Sequence, residues 1–219
     1  MTTNASTATV ASVDGAGGSK RLVTVRLDDG RVFTVPARSA RDAGVVEGVT
    51  LLPAAINALA EEELATARQR AVRRMASSDR TEQELRSDLA GQGFSRGAVE
   101  ETIRGLREQR LLDDARSADA FVLSRTRSQP RSRRMRRAEL QARGVDTQTA
   151  EAATAEIDDD EAARDLAERR ALKAPRDSYE AFSRHVGAFL QRRGFARETA
   201  ERAVGEAWAG VGEEDGHGV

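Results

Sequence analysis

Three glycines set the frame of this sequence. Gly93, Gly144 and Gly194 lie 51 and 50 residues apart. Each stands four residues after a leucine (Leu89, Leu140, Leu190) and directly before an apolar residue (Phe94, Val145, Phe195). Six residues beyond each glycine come Val99, Ala150 and Ala200, and thirteen beyond come Leu106, Ile157 and Ala207. A leucine four residues before a glycine reads as a helix end closed by a left-handed residue, with the next apolar side chain packing back on it. The later positions fit the inner face of a following helix. The period therefore predicts three-helix units of about 50 residues, over 66–110, 112–157 and 158–209. The expected fold is mainly α: tandem three-helix repeats forming an elongated body, because each unit chiefly contacts its neighbours.

Ahead of the repeats the pattern changes from helical to alternating. Arg21–Val35 reads as a β-hairpin, with Val23, Val25 and Leu27 alternating with Thr24 and Arg26. Asp29-Gly30 supplies the tight turn and Val32–Val35 the return strand. Ser39–Ala43 reads as a short helix and Val45–Leu52 as a third strand interrupted by Gly48. A lone hairpin is marginally stable, so a small β-rich module over 21–52, packed on the helical region after it, is expected. Residues 1–20 read as a disordered tail without the basic start and apolar centre of a secretory signal, and 210–219 as a frayed, disordered end. Pro53 suits a helix start. One long helix, or two separated near Glu61–Glu63, spans Ala54–Ser77, with 53–65 as a connecting helix.

Charge is segregated along the chain. Met1–Ala67 carries net −2, Arg68–Gly144 net +8 and Val145–Val219 net −7, although the whole chain is −1. The positive charge peaks in a run of eight arginines, Arg125, Arg127, Arg131, Arg133, Arg134, Arg136, Arg137 and Arg143, with Glu139 the only acid among them. Such a run suits a polyanion or an acidic protein surface; an Arg-rich solvated helix face is the plain alternative. Arg70, Arg73, Arg74 and Arg80 add charge to the first unit and would extend the surface if the units stack. One position breaks the repeat. Eight residues before the glycines stand Leu85, Arg136 and Val186. Either Arg136 snorkels past Leu140, or its helix rotates to bury Met135, Ala138 and Ala142.

The middle unit also carries a family resemblance. Leu112-Asp113-Asp114, Arg116, Ala118, Phe121-Val122, Arg125, Glu139-Leu140 and Gly144-Val145 resemble the core of the RecX family. The resemblance covers about Leu64 to Trp208. The chain departs from the pattern at Ser117, where an aromatic residue is usual, at Ser132, usually Gly, and at Arg136, usually Ile or Leu. The resemblance implies tandem three-helix architecture and a non-catalytic, cytoplasmic regulator. It implies binding to the RecA recombinase filament, and to single- or double-stranded DNA, with inhibition of ATP hydrolysis and strand exchange in DNA repair, recombination and the SOS response. The contact surface expected from the arginine run is Arg125, Arg127, Arg131, Arg133, Arg134 and Arg137, with Arg70, Arg73 and Arg74. Asp113, Asp114, Arg116, Phe121, Leu140 and Gly144 are expected to be structural.

Little else suggests chemistry. Cysteine is absent and histidine is limited to His185 and His217, so neither a thiolate nor a zinc site is expected. Gly15–Lys20 lacks the Gly-Lys-Ser/Thr of a phosphate loop and reads as a flexible linker. Asp158–Glu161 opens a helix, where capping and the helix dipole explain the acids more simply than a cation does. Asp113-Asp114 with Arg116 reads as a capped helix start with a local ion pair. No cofactor, small-molecule substrate or membrane partner is expected; there is no apolar run of about 18 residues. Two other readings stay open: a stand-alone, weakly sequence-specific nucleic-acid-binding repeat protein, and an adaptor docking through its acidic third unit.

Overall fold

The structure, a computed structural model, describes residues 6–16, 19–126 and 128–215. It is mainly helical, with a small N-terminal sheet, and separates into two compact units, Met1–Asp113 and Asp114–Val219.

The first unit begins with strands β1 (Ala8–Ala16), β2 (Ser19–Leu27) and β3 (Val32–Pro36), helix α1 (Ala37–Asp42) and the two-residue strand β4 (Thr50–Leu51). The sheet is antiparallel with order β3-β2-β1-β4. The β2–β3 hairpin turns at Gly30, whose φ of 88° suits a residue without a side chain. Two expectations are corrected here. The stretch taken as a disordered tail contains β1, and the glycine-rich segment read as a linker contributes Gly15 and Ala16 to it; Gly17 and Gly18 lie outside the described residues. The third strand expected over Val45–Leu52 shrinks to Thr50–Leu51, which pairs with β1.

Helix α2 (Pro53–Ser77) is one unbroken helix of 25 residues. It crosses the expected boundary between a connecting helix ending at residue 65 and the first repeat. Its first turns put Ile56 and Leu59 into the sheet's core with Val10, Val25, Phe33 and Val35. Its later turns put Ala67 and Ala71 among Leu85, Leu89, Phe94, Val99, Ile103 and Leu106, contributed by α3 (Glu82–Gly91), α4 (Arg96–Glu108) and the corner between them. The same helix thus belongs to both cores. Between them, on the same buried stripe, sits Glu63, 2% exposed. Its carboxylate accepts hydrogen bonds from the Thr34 amide (2.9 Å), the Ser95 amide (2.8 Å) and the Ser95 hydroxyl (2.7 Å). A buried carboxylate is tolerated only when its lone pairs are satisfied in this way. Glu63 thereby fastens β3 to the start of α4.

The second unit holds α5 (Asp114–Thr126), α6 (Arg133–Ala142), α7 (Thr147–Thr154), α8 (Asp159–Ala171), α9 (Tyr179–Arg192) and α10 (Arg197–Asp215). Helix α10 runs through Gly210 to Asp215, which corrects the expected frayed end; residues 216–219 lie outside the described ones. The three repeat glycines have φ of 90°, 88° and 89°. At each, the amide of the next residue donates to the leucine carbonyl, at 3.3, 3.1 and 3.3 Å, and the glycine amide donates one residue later along the helix. Both bonds satisfy carbonyls that the helix end leaves open. Gly194 has a further constraint. A Cβ there would lie 2.7 Å from Ser132 Oγ and 2.8 Å from Met135 Cβ, so the α9 corner seats directly on the start of α6.

Candidate partner-binding surface

The arginine run falls on α5, α6 and the segment between them. Phe121 is at its centre, half-buried beside Ala118 and Val122 and above a small core of Ala118, Leu140, Val145 and Ala150. Three guanidinium groups pack on its ring, from Arg143 at 4.5 Å, Arg125 at 5.2 Å and Arg136 at 5.6 Å. The ring quadrupole attracts each cation.

Arg136 resolves the anomaly in the repeat by neither of the expected routes. It does not snorkel and the helix does not rotate: Ala138 and Ala142 are exposed. Arg136 stays in register with Leu85 and Val186 and is 1% exposed. One guanidinium nitrogen donates to Glu139 at 2.6 Å and another to the Gln129 carbonyl at 2.6 Å. Desolvation holds its pKa below the usual arginine value against the opposing pull of Glu139, and the charges of Arg131 and Arg125 push it the same way. Glu139 also pairs with Arg131. One half-buried carboxylate therefore serves two arginines.

The remaining arginines find partners that sequence distance hides. Arg137 pairs with Glu151 of α7 at 2.7 Å. Arg133 donates to the Ile157 carbonyl at 2.6 and 3.1 Å, and its amide donates to Asp159 at 2.6 Å. Ser132, standing where the RecX pattern usually has Gly, caps α6 by accepting from the Met135 amide at 3.2 Å. Arg125 donates to Gln129 at 2.9 Å. Arg134 points outward from α6 and is exposed. Arg127 lies outside the described residues. In the first unit, Arg74 pairs with Asp88 at 2.8 Å, Arg73 is exposed and Arg70 is half-buried on α2. The run is short of acids along the sequence, but in space Glu151 of α7 pairs with Arg137, Glu139 serves both Arg131 and Arg136, and the α7–α8 turn offers the Arg133 guanidinium the Ile157 carbonyl.

The other residues singled out by the pattern fall into place around this cluster. Leu140 and Gly144 close α6, Asp114 opens α5, and Asp113 ends the first unit. Arg116 is exposed on α5. Glu63 was missed, although a lone carboxylate on the stripe Ile56, Leu59, Glu63, Ala67 was a visible signal. No helix among the described residues is long and apolar enough to cross a membrane.

The arrangement defines a tandem three-helix repeat protein, preceded by a small sheet. Family models match all three repeats: the first three-helix domain of RecX over residues 67–106, the second over 113–153 and the third over 158–204. The chain belongs to the RecX family. It is 34% identical over 147 residues to the regulatory protein RecX of Halorhodospira halophila, covering 64% of this chain and 87% of that one. It is 36% identical over 146 residues to the RecX of Chromohalobacter salexigens, covering 66% and 94%. A crystal structure of a regulatory protein RecX superposes with TM-score 0.58 at 22% identity, covering 89% of this chain and 97% of that chain. RecX from Lactobacillus salivarius gives TM-score 0.59 at 21% identity, covering 66% and 96%. These two likenesses concern the fold.

Proposed function

We propose that this chain modulates RecA nucleoprotein filaments in the cytoplasm, inhibiting their ATPase and strand exchange in DNA repair, recombination and the SOS response. The observation that carries the reading is the match of all three repeats to one family, whose members are called regulatory proteins. The reading is non-catalytic and needs no cofactor: the protein acts by occupying a surface. Within it, the contact residues are the exposed arginines, Arg134 on α6 and Arg73 on α2, with the half-buried Arg70 and, at the edge of the Phe121 cluster, Arg125. Arg127 belongs with them by sequence. Arg131, Arg133, Arg137 and Arg74 take part through whatever charge their internal partners leave uncompensated.

Nucleic-acid binding without RecA is the second reading, favoured by the net +8 of Arg68–Gly144. The internal pairing of the middle arginines reduces the number available to phosphate, so such binding is weak and its salt dependence correspondingly shallow. The test is the single-stranded-DNA-dependent ATPase of RecA with the purified chain added. Hydrolysis is expected to fall as the chain approaches the RecA concentration. Unchanged hydrolysis at equimolar chain, with DNA bound equally well in the absence of RecA, would contradict the proposal and leave the second reading.

A further inference from the structure

The second unit carries, apart from its arginines, a cleft of opposite character. A cavity of about 440 Å³ lies among α5, the α7–α8 turn and α8. Its apolar lining includes Val122, Leu123 and Ile157. Leu123 is 79% exposed, an unusual position for a large aliphatic side chain at the mouth of a cleft. Around this lining stand the carboxylates of Asp119, Glu156, Asp158, Glu161 and Asp165, against a single cation among the described lining residues, Arg169. Arg169 lies 3.9 Å from Asp165. Asp158 is occupied with the first amides of α8. Asp119, Glu156 and Glu161 are exposed and have no ion-pair partner among the described residues.

We propose that this cleft binds a basic amphipathic helix of a partner protein, distinct in chemistry from anything the arginine surface takes. The volume lies within the range of built pockets, about 300–1,000 Å³. The apolar lining accepts the leucine-like anchors that such a helix presents at i, i+3 or i+4, and i+7. The surrounding carboxylates select lysine or arginine beside those anchors, steer the encounter and repel phosphate. A nucleic acid is therefore excluded by the same charges that favour the peptide. This goes beyond the RecA reading and does not depend on it.

The test uses the isotope-labelled full chain and a synthetic helical peptide with leucines on one face and lysines beside them. Controls are a scrambled peptide of the same composition and a single-stranded oligonucleotide. Binding is expected to shift backbone amides of α5, Ala153–Asp158 and α8. Leu123→Glu, and separately the pair Glu156→Lys with Glu161→Lys, should weaken it at least about tenfold. All three positions are exposed, so helix content should be unchanged. The scrambled peptide should bind the parent chain no more tightly than the helical peptide binds the charge-reversed variant. The proposal is overturned if the helical peptide shifts no cleft amide up to millimolar concentration, or if the scrambled peptide binds as well. It is also overturned if the oligonucleotide displaces the peptide, or if sedimentation shows a second copy of the chain in the cleft.

Discussion

The middle and third repeats share one plan and differ in what fills it. The third buries twelve residues, all apolar, including Phe182, Val186, Leu190, Phe195 and Val204. The middle buries four in its apolar cluster, and at the position of Val186 it holds Arg136. Three residues on, it has Glu139 where the third has Phe189. Arginine and glutamate are thus a matched pair of departures on one helix. Even the aromatic–cation packing recurs in kind, since Arg170 and Arg193 lie 5.2 and 5.1 Å from the Phe189 ring. The comparison teaches that a three-helix unit closed by leucine and a left-handed glycine tolerates a charged core position when its counter-charge is one helical turn away.

The largest effect should come from moving the charge without its partner. Val186→Arg places a guanidinium in a site with no carboxylate nearby, and should destabilise the second unit by about 3–5 kcal/mol. Chemical denaturation followed by the fluorescence of Trp208, which packs on Phe182 with ring centroids 5.0 Å apart, reads it directly. Tolerance of this variant would mean that the third repeat adapts as freely as the middle one. Next in size, Glu139→Gln leaves Arg136 charged and buried. Glu139 is 23% exposed on its side chain, so the loss should be smaller, about 2–3 kcal/mol. The two substitutions Arg136→Leu and Glu139→Gln together should be far from additive, because they remove the two halves of one interaction.

Arg136→Leu alone gives the middle repeat the residue type of its neighbours. Glu139 keeps Arg131, so no charge is stranded, and the change should be neutral or stabilising by about 1 kcal/mol, read from chemical denaturation. A marked loss would show that the arginine, not the space it fills, holds α6 to Phe121. The smallest effect is local and pH-dependent. Asp146 caps α7, and hydrogen bonds from the Thr149 side chain first and its amide second hold the carboxyl below its ordinary pKa. Its stabilisation is complete above the unfolded value near 3.9 and is lost as pH falls through the lower folded value. Ala196 precedes α10 and offers no titrating cap. Amide-exchange protection at Thr149 should therefore fall in that window while Thr199 is unaffected; parallel changes would mean global unfolding.

How much is legible in the sequence depends on how far apart the interacting residues lie. The glycine-closed helices depend on contacts within six residues, and their period is plain. The β2–β3 hairpin is equally local. Strand β1 also meets β2 locally, Ala16 pairing with Ser19, but Ala8, Ala11, Ser12, Asp14 and Gly15 have little strand character of their own, and its first residues, Ala8 and Thr9, pair with the distant Leu51 and Thr50. The arginine run was visible as charge, but its distant partners were not: Glu151 is 14 residues from Arg137, and the Ile157 carbonyl is 24 from Arg133. Sequence alone therefore could not divide these arginines into those that hold helices together and those that face outward.

That division is the central claim, and one measurement tests it most directly. Arg134→Glu and Arg136→Leu should be compared in the RecA ATPase assay, with helix content checked for both. Arg134→Glu should weaken inhibition by about tenfold or more, since it sets a like charge against an acidic or phosphate partner. Arg136→Leu should inhibit as the parent does. Full inhibition by Arg134→Glu together with loss of inhibition by a folded Arg136→Leu would contradict that claim.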